Sequence, residues 1–568
     1  MAAASVTAAV RSLPGLRLLH GYQRPWMGAD LLAGLVLAAI LVPQGMAYAE
    51  LAGLPAVTGL YTTIACLLGY AVFGPSRVLV LGPDSSISPL ILAAITPLLV
   101  TGNPATAIVL AGMLAILVGL AEIGLGVARL GFVADLLSKE VQAGYMNGLG
   151  ITIIVGQLPK LFGFSTHADS FLGEIRAFVD NLDQTQTTTL AVGGVALIVM
   201  LVLPRVTTRV PAVLVAVAGA TVVSAAVGLA DHGVATVGAL PRGVPTPTFP
   251  WTNASDVGPL LIAAVGITLV SLTDTIATAT SFAARRGEEV EPNQEMIGMG
   301  AANIAAGLFQ GFPVSTSGSR TAVAEQSGAK SQVTGLVGAA LVTLLLLFLN
   351  SVLADLPQTA LAAVVIVAAL SLMDLAILRR YLRVRRSAFA VSLVATAGVI
   401  LLGVLQGILV AVTLAILLFF RRSWWPHGAV LGAVDGGEGW HDVEVHPNAR
   451  QIPGIVVYRW EAPLFFANAG TFRQQIRHLV RERHPKWIVL QCEAVTDVDV
   501  TAAEMLEQLD NELNAAGTHL AFAEMRSRLQ ELTLRYGLME TLDHDHFYPT
   551  LESALEAIQP AGLLPDSA

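Results

Sequence analysis

Long apolar runs dominate this sequence, and a helix that crosses a bilayer needs roughly 20 mostly apolar residues. Clear candidates occupy 30–49, 105–127, 188–203, 211–230, 257–282, 331–354, 359–373 and 388–420, the last long enough for two. Weaker candidates, short or studded with glycine, lie at 57–73, 140–158 and 296–310. Two more apolar pieces, around 79–99 and 313–327, open with polar, Pro/Gly-rich stretches. Together they predict about fourteen crossings, a polytopic α-helical membrane protein. Composition agrees: 54% of the 568 residues are hydrophobic and 13% charged, against about 25% charged in a soluble domain. Two cysteines, Cys66 and Cys492, exclude a disulfide framework or a zinc cluster. A net charge of −9 excludes a chain-wide nucleic-acid footprint.

That net charge hides a division. Residues 431–568 hold 21 acids and 10 bases, whereas the first 430 carry a net of +2. The boundary falls just after Arg421, Arg422 and the Trp424-Trp425 pair, an interface-like cluster closing the last apolar run. The expected domains are an N-terminal segment 1–27, a membrane domain 28–425, a linker 426–440 and an α/β domain 441–560. Arg11, Arg17 and Arg24 interrupt any signal-peptide pattern, so the first span is expected to direct insertion itself. With an even number of spans and a cytoplasmic start, 18 Lys and Arg fall in inside segments. Lys160, Arg176 and Arg242 fall outside, and Arg320 falls within a span. That bias predicts both termini in the cytoplasm of a cell with the chain in its cytoplasmic membrane.

A weak internal symmetry pairs two halves. A span containing Leu41-Val42-Pro43-Gln44-Gly45 is followed two spans later by Leu81-Gly82-Pro83-Asp84-Ser85-Ser86. In the second half, Ser271-Leu272-Thr273-Asp274 is followed two spans later by Phe312-Pro313-Val314-Ser315-Thr316-Ser317-Gly318-Ser319-Arg320-Thr321. Seven spans is an odd number, so the halves have opposite orientation. Broken apolar segments at matching places in two halves point to a transporter's binding site.

A helix that begins inside the bilayer leaves its first N–H groups unpaired, and a bound anion satisfies them with help from the helix dipole. Ser85, Ser86 and Ser88 in one segment, and Ser315, Thr316, Ser317 and Ser319 around Gly318 in the other, add hydroxyl donors. The alternative is that they cap helices or bond back to carbonyls one turn earlier. Arg320 supplies positive potential to an anion, pairs with an acid, or snorkels from a helix end. Asp274 has three readings: a cation site with Thr278 one turn away, a protonatable carboxyl, or an ion pair with Arg320. Asp84 reads as a first-turn cap or a proton-linked group. Gln44, between Pro43 and Gly45, marks an expected bend or local unwinding and offers a neutral amide to an anion or a polar contact between helices. Tyr48, one turn on, reads as packing.

At these residues the sequence resembles the SulP anion transporters with a C-terminal STAS domain. The resemblance rests on Val42-Pro43-Gln44-Gly45-Met46-Ala47-Tyr48-Ala49, Leu51-Ala52-Gly53-Leu54-Pro55, Gly59-Leu60-Tyr61, Phe73-Gly74-Pro75-Ser76-Arg77 and Leu81-Gly82-Pro83-Asp84. Asn293-Gln294-Glu295, Gly300-Ala301-Ala302-Asn303 and Ser319-Arg320-Thr321-Ala322 follow in order. It implies fourteen segments in two inverted seven-segment repeats, forming core and gate domains that move as an elevator in a homodimer. Substrate would lie between segments three and ten, lined by Gln44, Asp84, Ser85, Ser86, Ser317, Gly318, Ser319 and Arg320. Asp274 and Thr278 match the sodium ligands of the bicarbonate-transporting branch, with Thr316 placed beside them. The stretch Ser315-Thr316-Ser317-Gly318-Ser319 departs from that branch's Gly/Ala-rich one. The Arg285-Arg286-Gly287 turn and the tail look nearest to actinobacterial members labelled sulfate transporters.

In the tail, 454–460, 487–492 and His519–Phe522 read as strands, with helices at 470–483, 501–515, 527–536 and 549–558, an alternating α/β unit. Thr501, after Asp499-Val500, reads as a helix cap or, by resemblance to soluble anti-sigma-factor antagonists, a phosphorylation site. No nucleotide loop, nucleophile–base pair or zinc spacing appears, so no catalysis is expected. The expectation is secondary active transport of a small anion, sulfate first, coupled to Na⁺ or H⁺ and without other cofactors. The rivals are a bicarbonate or C4-dicarboxylate carrier, a channel-like anion pathway, and a transport-inactive scaffold whose tail binds a cytoplasmic protein.

Overall fold

The computed structural model describes residues 13–558 apart from 100–102, 133–137, 167, 169, 208–209, 242, 435–438 and 543. Arg11, Arg209, Arg242, part of the expected linker and the last two residues of the expected α/β domain lie outside the described residues. The chain divides into two compact units, Met1–Ala415 and Ile416–Ala568.

Among the described residues, fourteen helical segments of the membrane domain correspond to the expected spans, with shorter helices in some of the connections. The first seven are α1 Met27–Leu51, α2 Ala56–Phe73, α3 Ser88–Ile95, α4 Pro104–Val127, α5 Lys139–Phe162, α6 Thr187–Val206 and α7 Ala212–Val227. The second seven are α8 Ala254–Ala284, α9 Pro292–Leu308, α10 Gly318–Gln326, α11 Val333–Phe348, α12 Gln358–Leu372, α13 Arg386–Leu402 and α14 Val404–Trp424. The run 388–420 divides at Gly403, whose φ of +94° ends one helix and starts the next. Among the described residues, 7 helices are long and apolar enough to cross a membrane alone. α3 and α10, with 8 and 9 residues, rise only about 12–14 Å and end within the bilayer.

Packing shows the two-fold relation of the halves. α2 packs on α11 and α9 on α4, and these two pairs exchange when the halves are exchanged. The same exchange maps α5 on α13 onto α12 on α6. The contacts gather into α1–α4 with α8–α11, the core, and α5–α7 with α12 and α13, the gate. The α4–α9 seam runs antiparallel, with Gly112, Gly119 and Gly126 facing Gly307, Gly300 and Asn293 at seven-residue spacing. A Cβ at Gly119 would sit 2.5 Å from the Gly300 carbonyl oxygen, and one at Gly300 2.5 Å from that of Gly119. Lipid gives helices no hydrophobic reason to associate, so backbone approach over small residues supplies the packing energy.

The second unit is a six-stranded sheet of order β4-β3-β5-β6-β7-β8. Its strands are β3 Gly428–Ala433, β4 Trp440–Asp442, β5 Ile455–Trp460, β6 Trp487–Gln491, β7 His519–Ala523 and β8 Phe547–Tyr548. β5 through β8 run parallel, while β3 lies antiparallel to β4 and β5. Helices α15 Ala469–Arg483, α16 Val500–Ala515, α17 Ser527–Arg535 and α18 Leu551–Ile558 surround it. Side chains alternate along β5: Val456, Tyr458 and Trp460 enter one core, Ile455 and Val457 the other. Two expectations are corrected. Residues 428–433, assigned to a linker, form a strand, because ladder pairing with β5 overrides the low β-propensity of Gly-Ala-Val-Leu-Gly-Ala. Asp499 caps α16, accepting from Ala502 N at 2.8 Å, and Thr501 sits exposed in the first turn.

On α16, Glu512 pairs with Arg477 at 2.7 Å and Arg473 at 3.0 Å, both from α15. Those guanidiniums hold its carboxyl below the ordinary 4.5. A depressed carboxyl contributes stability above its unfolded value and loses it as pH falls through the folded one. Thermal unfolding of the Glu512→Gln chain is therefore expected to show a shallower acid-side decline below about pH 4.5, with a small shift at neutral pH because the pair is partly exposed. Gly300→Val should cost about 1–3 kcal/mol by overpacking the α4–α9 seam. Gly124→Val on the same α4, where a Cβ meets nothing within 4 Å, should leave the melting midpoint nearly unchanged.

Candidate functional site

α3 and α10 are each preceded by extended chain, and a strand in mid-membrane has no water to satisfy it. The solution is a two-residue ribbon: β1 Leu81–Gly82 pairs antiparallel with β2 Ser315–Thr316, Leu81 opposite Thr316 and Gly82 opposite Ser315. Side chains from neighbouring helices take the remaining backbone groups. Gln332 donates to the carbonyls of Ser76 (2.8 Å) and Leu79 (3.0 Å). Val80 N donates to Thr321 Oγ1 (3.2 Å), Phe312 N to Thr62 Oγ1 (3.1 Å) and Val314 N to Asn303 Oδ1 (2.8 Å). The starts of both half-helices are thereby fixed beside one ribbon.

Arg320, 1% exposed, lies across that ribbon from the α10 side. Its Nη2 is 3.5 Å from Asp84 Oδ2 and donates to the Gly82 carbonyl at 3.4 Å, and its Nη1 donates to the Pro83 carbonyl. The other oxygen of Asp84 accepts from Ser86 N (3.0 Å) and Ser86 Oγ (2.7 Å), as a cap does. Ser88 N and Oγ both return to the Asp84 carbonyl. The acid paired with Arg320 is therefore Asp84 and not Asp274, because ribbon register brings residues 82–84 against the first turn of α10. Asp274 faces α5, accepting from Gln142 Nε2 at 3.1 Å, with Ser86 beside it.

The other expected residues are distributed around this pair. Ser317 Oγ accepts from Arg320 N (3.5 Å) and lies 3.0 Å from Ser319 Oγ, while Gly318 and Ser319 are exposed. Ser85 is buried, and Tyr48, also buried, stands beside it and the Asp84–Arg320 pair. Gln44 is partly buried on α1, which stays helical through Pro43 without the expected unwinding. Thr278 approaches α10, its Oγ1 4.0 Å from where a Cβ on Gly318 would stand. Thr316 donates to Thr275 (3.2 Å) and bonds neither Asp274 nor Thr278 among the described contacts. Ser315 Oγ is buried with no hydrogen-bond partner among the described residues.

Sequence reasoning missed Gln142, Tyr145 and Glu122. Tyr145, one turn beyond Gln142 on α5, is fully buried beside Asp274, and its hydroxyl has no hydrogen-bond partner among the described residues. The signal was two polar side chains at i, i+3 in an apolar, glycine-rich span. Glu122 on α4 is fully buried, accepting from Ser271 Oγ (3.1 Å) and from Asn303 Nδ2 (2.9 Å), the amide that also holds Val314. It supports β2 from behind.

Chemically, Arg320 and Asp84 cancel, which leaves neutral donors beside them: two helix starts, the Ser319 hydroxyl and the buried Ser315 hydroxyl. Asp274, like Glu122, is an acid bonded to neutral groups. Asp274, with Ser86 beside it and Thr278 one helical turn on, offers oxygen ligands of the kind a hard cation takes.

Residues 27–395 match the sequence pattern of the sulfate permease family, and 446–554 that of the STAS domain. A Mycobacterium tuberculosis protein named a probable sulfate transporter is 42% identical over 549 residues, 96% of this chain and 98% of its own. Human solute carrier family 26 member 6 is 33% identical over 494 residues, 82% of this chain and 65% of its own. The structure of the murine solute carrier 26 family member A9 anion transporter, in an inward-facing state, matches with a TM-score of 0.87 at 25% identity, over 96% of this chain and 93% of that one.

The Arg320–Asp84 pair makes a sharp prediction. Arg320→Gln or Asp84→Asn alone leaves a buried charge uncompensated and should destabilise the purified chain by about 3–5 kcal/mol. The double variant should cost clearly less than the two together, which a double-mutant cycle on thermal unfolding reads directly.

Proposed function

The chain belongs to the sulfate permease family and carries a C-terminal STAS domain, and from that membership we propose that it is a secondary active carrier of a small anion, sulfate first. Its relatives are named transporters and not enzymes, and several are named sulfate transporters. The observation that carries the proposal is the pair of half-helix starts on one ribbon, with Arg320 neutralised by Asp84. A tetrahedral oxyanion there is held by amides and hydroxyls from two sides, without a net basic charge that would retain it. The Asp-Thr-x-x-Thr pattern at Asp274 keeps bicarbonate as the rival substrate.

Coupling is assigned to Asp274. Asp274 stands on the core helix α8, and its partner Gln142 stands on the gate helix α5. Na⁺ or H⁺ arriving at the carboxylate competes with the Gln142 amide, so loading loosens a bond that ties core to gate. The core, carrying Gln44, Ser85, Ser319 and Arg320, then slides past the gate as an elevator. The protein works as a homodimer in the cytoplasmic membrane, termini inside, with the STAS domain free to bind a cytoplasmic partner.

Proteoliposomes holding the full chain should accumulate radiolabelled sulfate under an inward Na⁺ or proton gradient, and unlabelled sulfate should compete better than bicarbonate or succinate. Asp274→Asn should abolish accumulation above equilibrium while leaving expression intact. Normal accumulation by that variant refutes the coupling role. Stronger competition by bicarbonate moves the substrate to that anion, and no flux of any anion points to a scaffold.

A further inference from the structure

Between α12 and α13 the chain forms a ten-residue helix, Leu375–Val384, that the transport reading does not use. At about 100° per residue, Ile377, Leu378 and Tyr381 fall on one face, and these are its partly buried residues. The helix packs against α13 and α5. Arg379, Arg380 and Arg383 fall together on the opposite face, and all three are exposed. Leu375 and Leu382, about half exposed at 52% and 50%, border one edge of that basic face. Arg385 and Arg386 follow, and Lys139 opens α5.

These arginines have no acidic partner among the described residues. Asp374 is committed to the cap, accepting from Ile377 N at 2.9 Å. Glu140 lies beside Tyr381, on the buried side. Arg379 and Arg383 are one turn apart, where like charges repel. A basic face bordered by exposed leucines, on a short helix tethered between two membrane spans, matches an amphipathic helix lying in a bilayer interface.

We propose that Arg379, Arg380 and Arg383 bind the phosphate headgroups of anionic phospholipids in the leaflet bordering α12 and α13. Leu375 and Leu382 rest on the adjoining acyl chains. The charge pattern selects anionic over zwitterionic lipid, since each arginine at an anionic surface contributes a roughly fivefold gain in affinity.

Native mass spectrometry of the full chain, purified with equal phosphatidylglycerol and phosphatidylcholine, tests this. The wild type should retain phosphatidylglycerol preferentially. The Arg379→Gln, Arg380→Gln, Arg383→Gln triple variant should bind it roughly a hundredfold more weakly, with phosphatidylcholine unchanged. The corresponding triple Arg→Lys variant should restore retention. Neutralising Arg481, Arg526 and Arg528 in the second unit should leave it intact. Equal phosphatidylglycerol binding by the wild type and the Gln triple variant overturns the proposal. So does displacement of the lipid by millimolar inorganic phosphate, which would mark a soluble-anion site. So does a Gln-triple effect that persists in pure phosphatidylcholine, which would mark the acidic second unit as the occupant.

Discussion

Two residues of antiparallel pairing, Leu81 with Thr316 and Gly82 with Ser315, are what allow this chain to break two helices inside a bilayer. Extended backbone at that depth is tolerated only when protein supplies every donor and acceptor. The ribbon supplies some of them from one half to the other, and Gln332, Thr321, Thr62 and Asn303 supply the rest. Remove the ribbon and both half-helices lose the frame that aims them. The buried acids Glu122 and Glu295 belong to that frame too: Glu122 holds Asn303 and Ser271, and Glu295 holds Tyr70 and the Ser76 hydroxyl at 2.8 Å.

The same frame explains why the site is built around a cancelled charge. Burying an isolated guanidinium costs far more than the fold has to spare, and Asp84 offsets it. The geometry leaves helix starts and hydroxyls as the neutral donors that the proposed anion would meet. Selection by neutral donors suits a carrier, because a ligand that must leave on the far side cannot be gripped by full charges.

The helical architecture was largely legible, since the period of apolar residues and the length of a bilayer set it. The 388–420 run is long enough for two helices, and Gly403 divides it. The two short pieces count toward fourteen crossings by their apolar length, yet their helices are only 8 and 9 residues long, because the polar Pro/Gly-rich openings stay extended. Arg320 was legible as a buried cation because intramembrane charge is rare. Its partner was not, because choosing Asp84 over Asp274 depends on strand register between segments more than 230 positions apart. Gln142 and Tyr145 escaped notice for a related reason: their meaning comes from α8, which lies opposite them only after folding. Strand β3 was hidden by its own composition, since glycine and alanine signal nothing until β5 pairs with them.

The α4–α9 seam bears on how such a chain is made. α4 ends at Val127 and α9 begins at Pro292, so the ribosome must produce α5 through α8 before α4 meets the backbone it packs against. At about 5–20 residues per second, α4 waits several seconds to half a minute with its glycine face against lipid. During that interval, packing cannot hold the first half in its orientation. The arginines flanking its spans must do so, which makes the charge asymmetry an assembly jig as well as a record of topology.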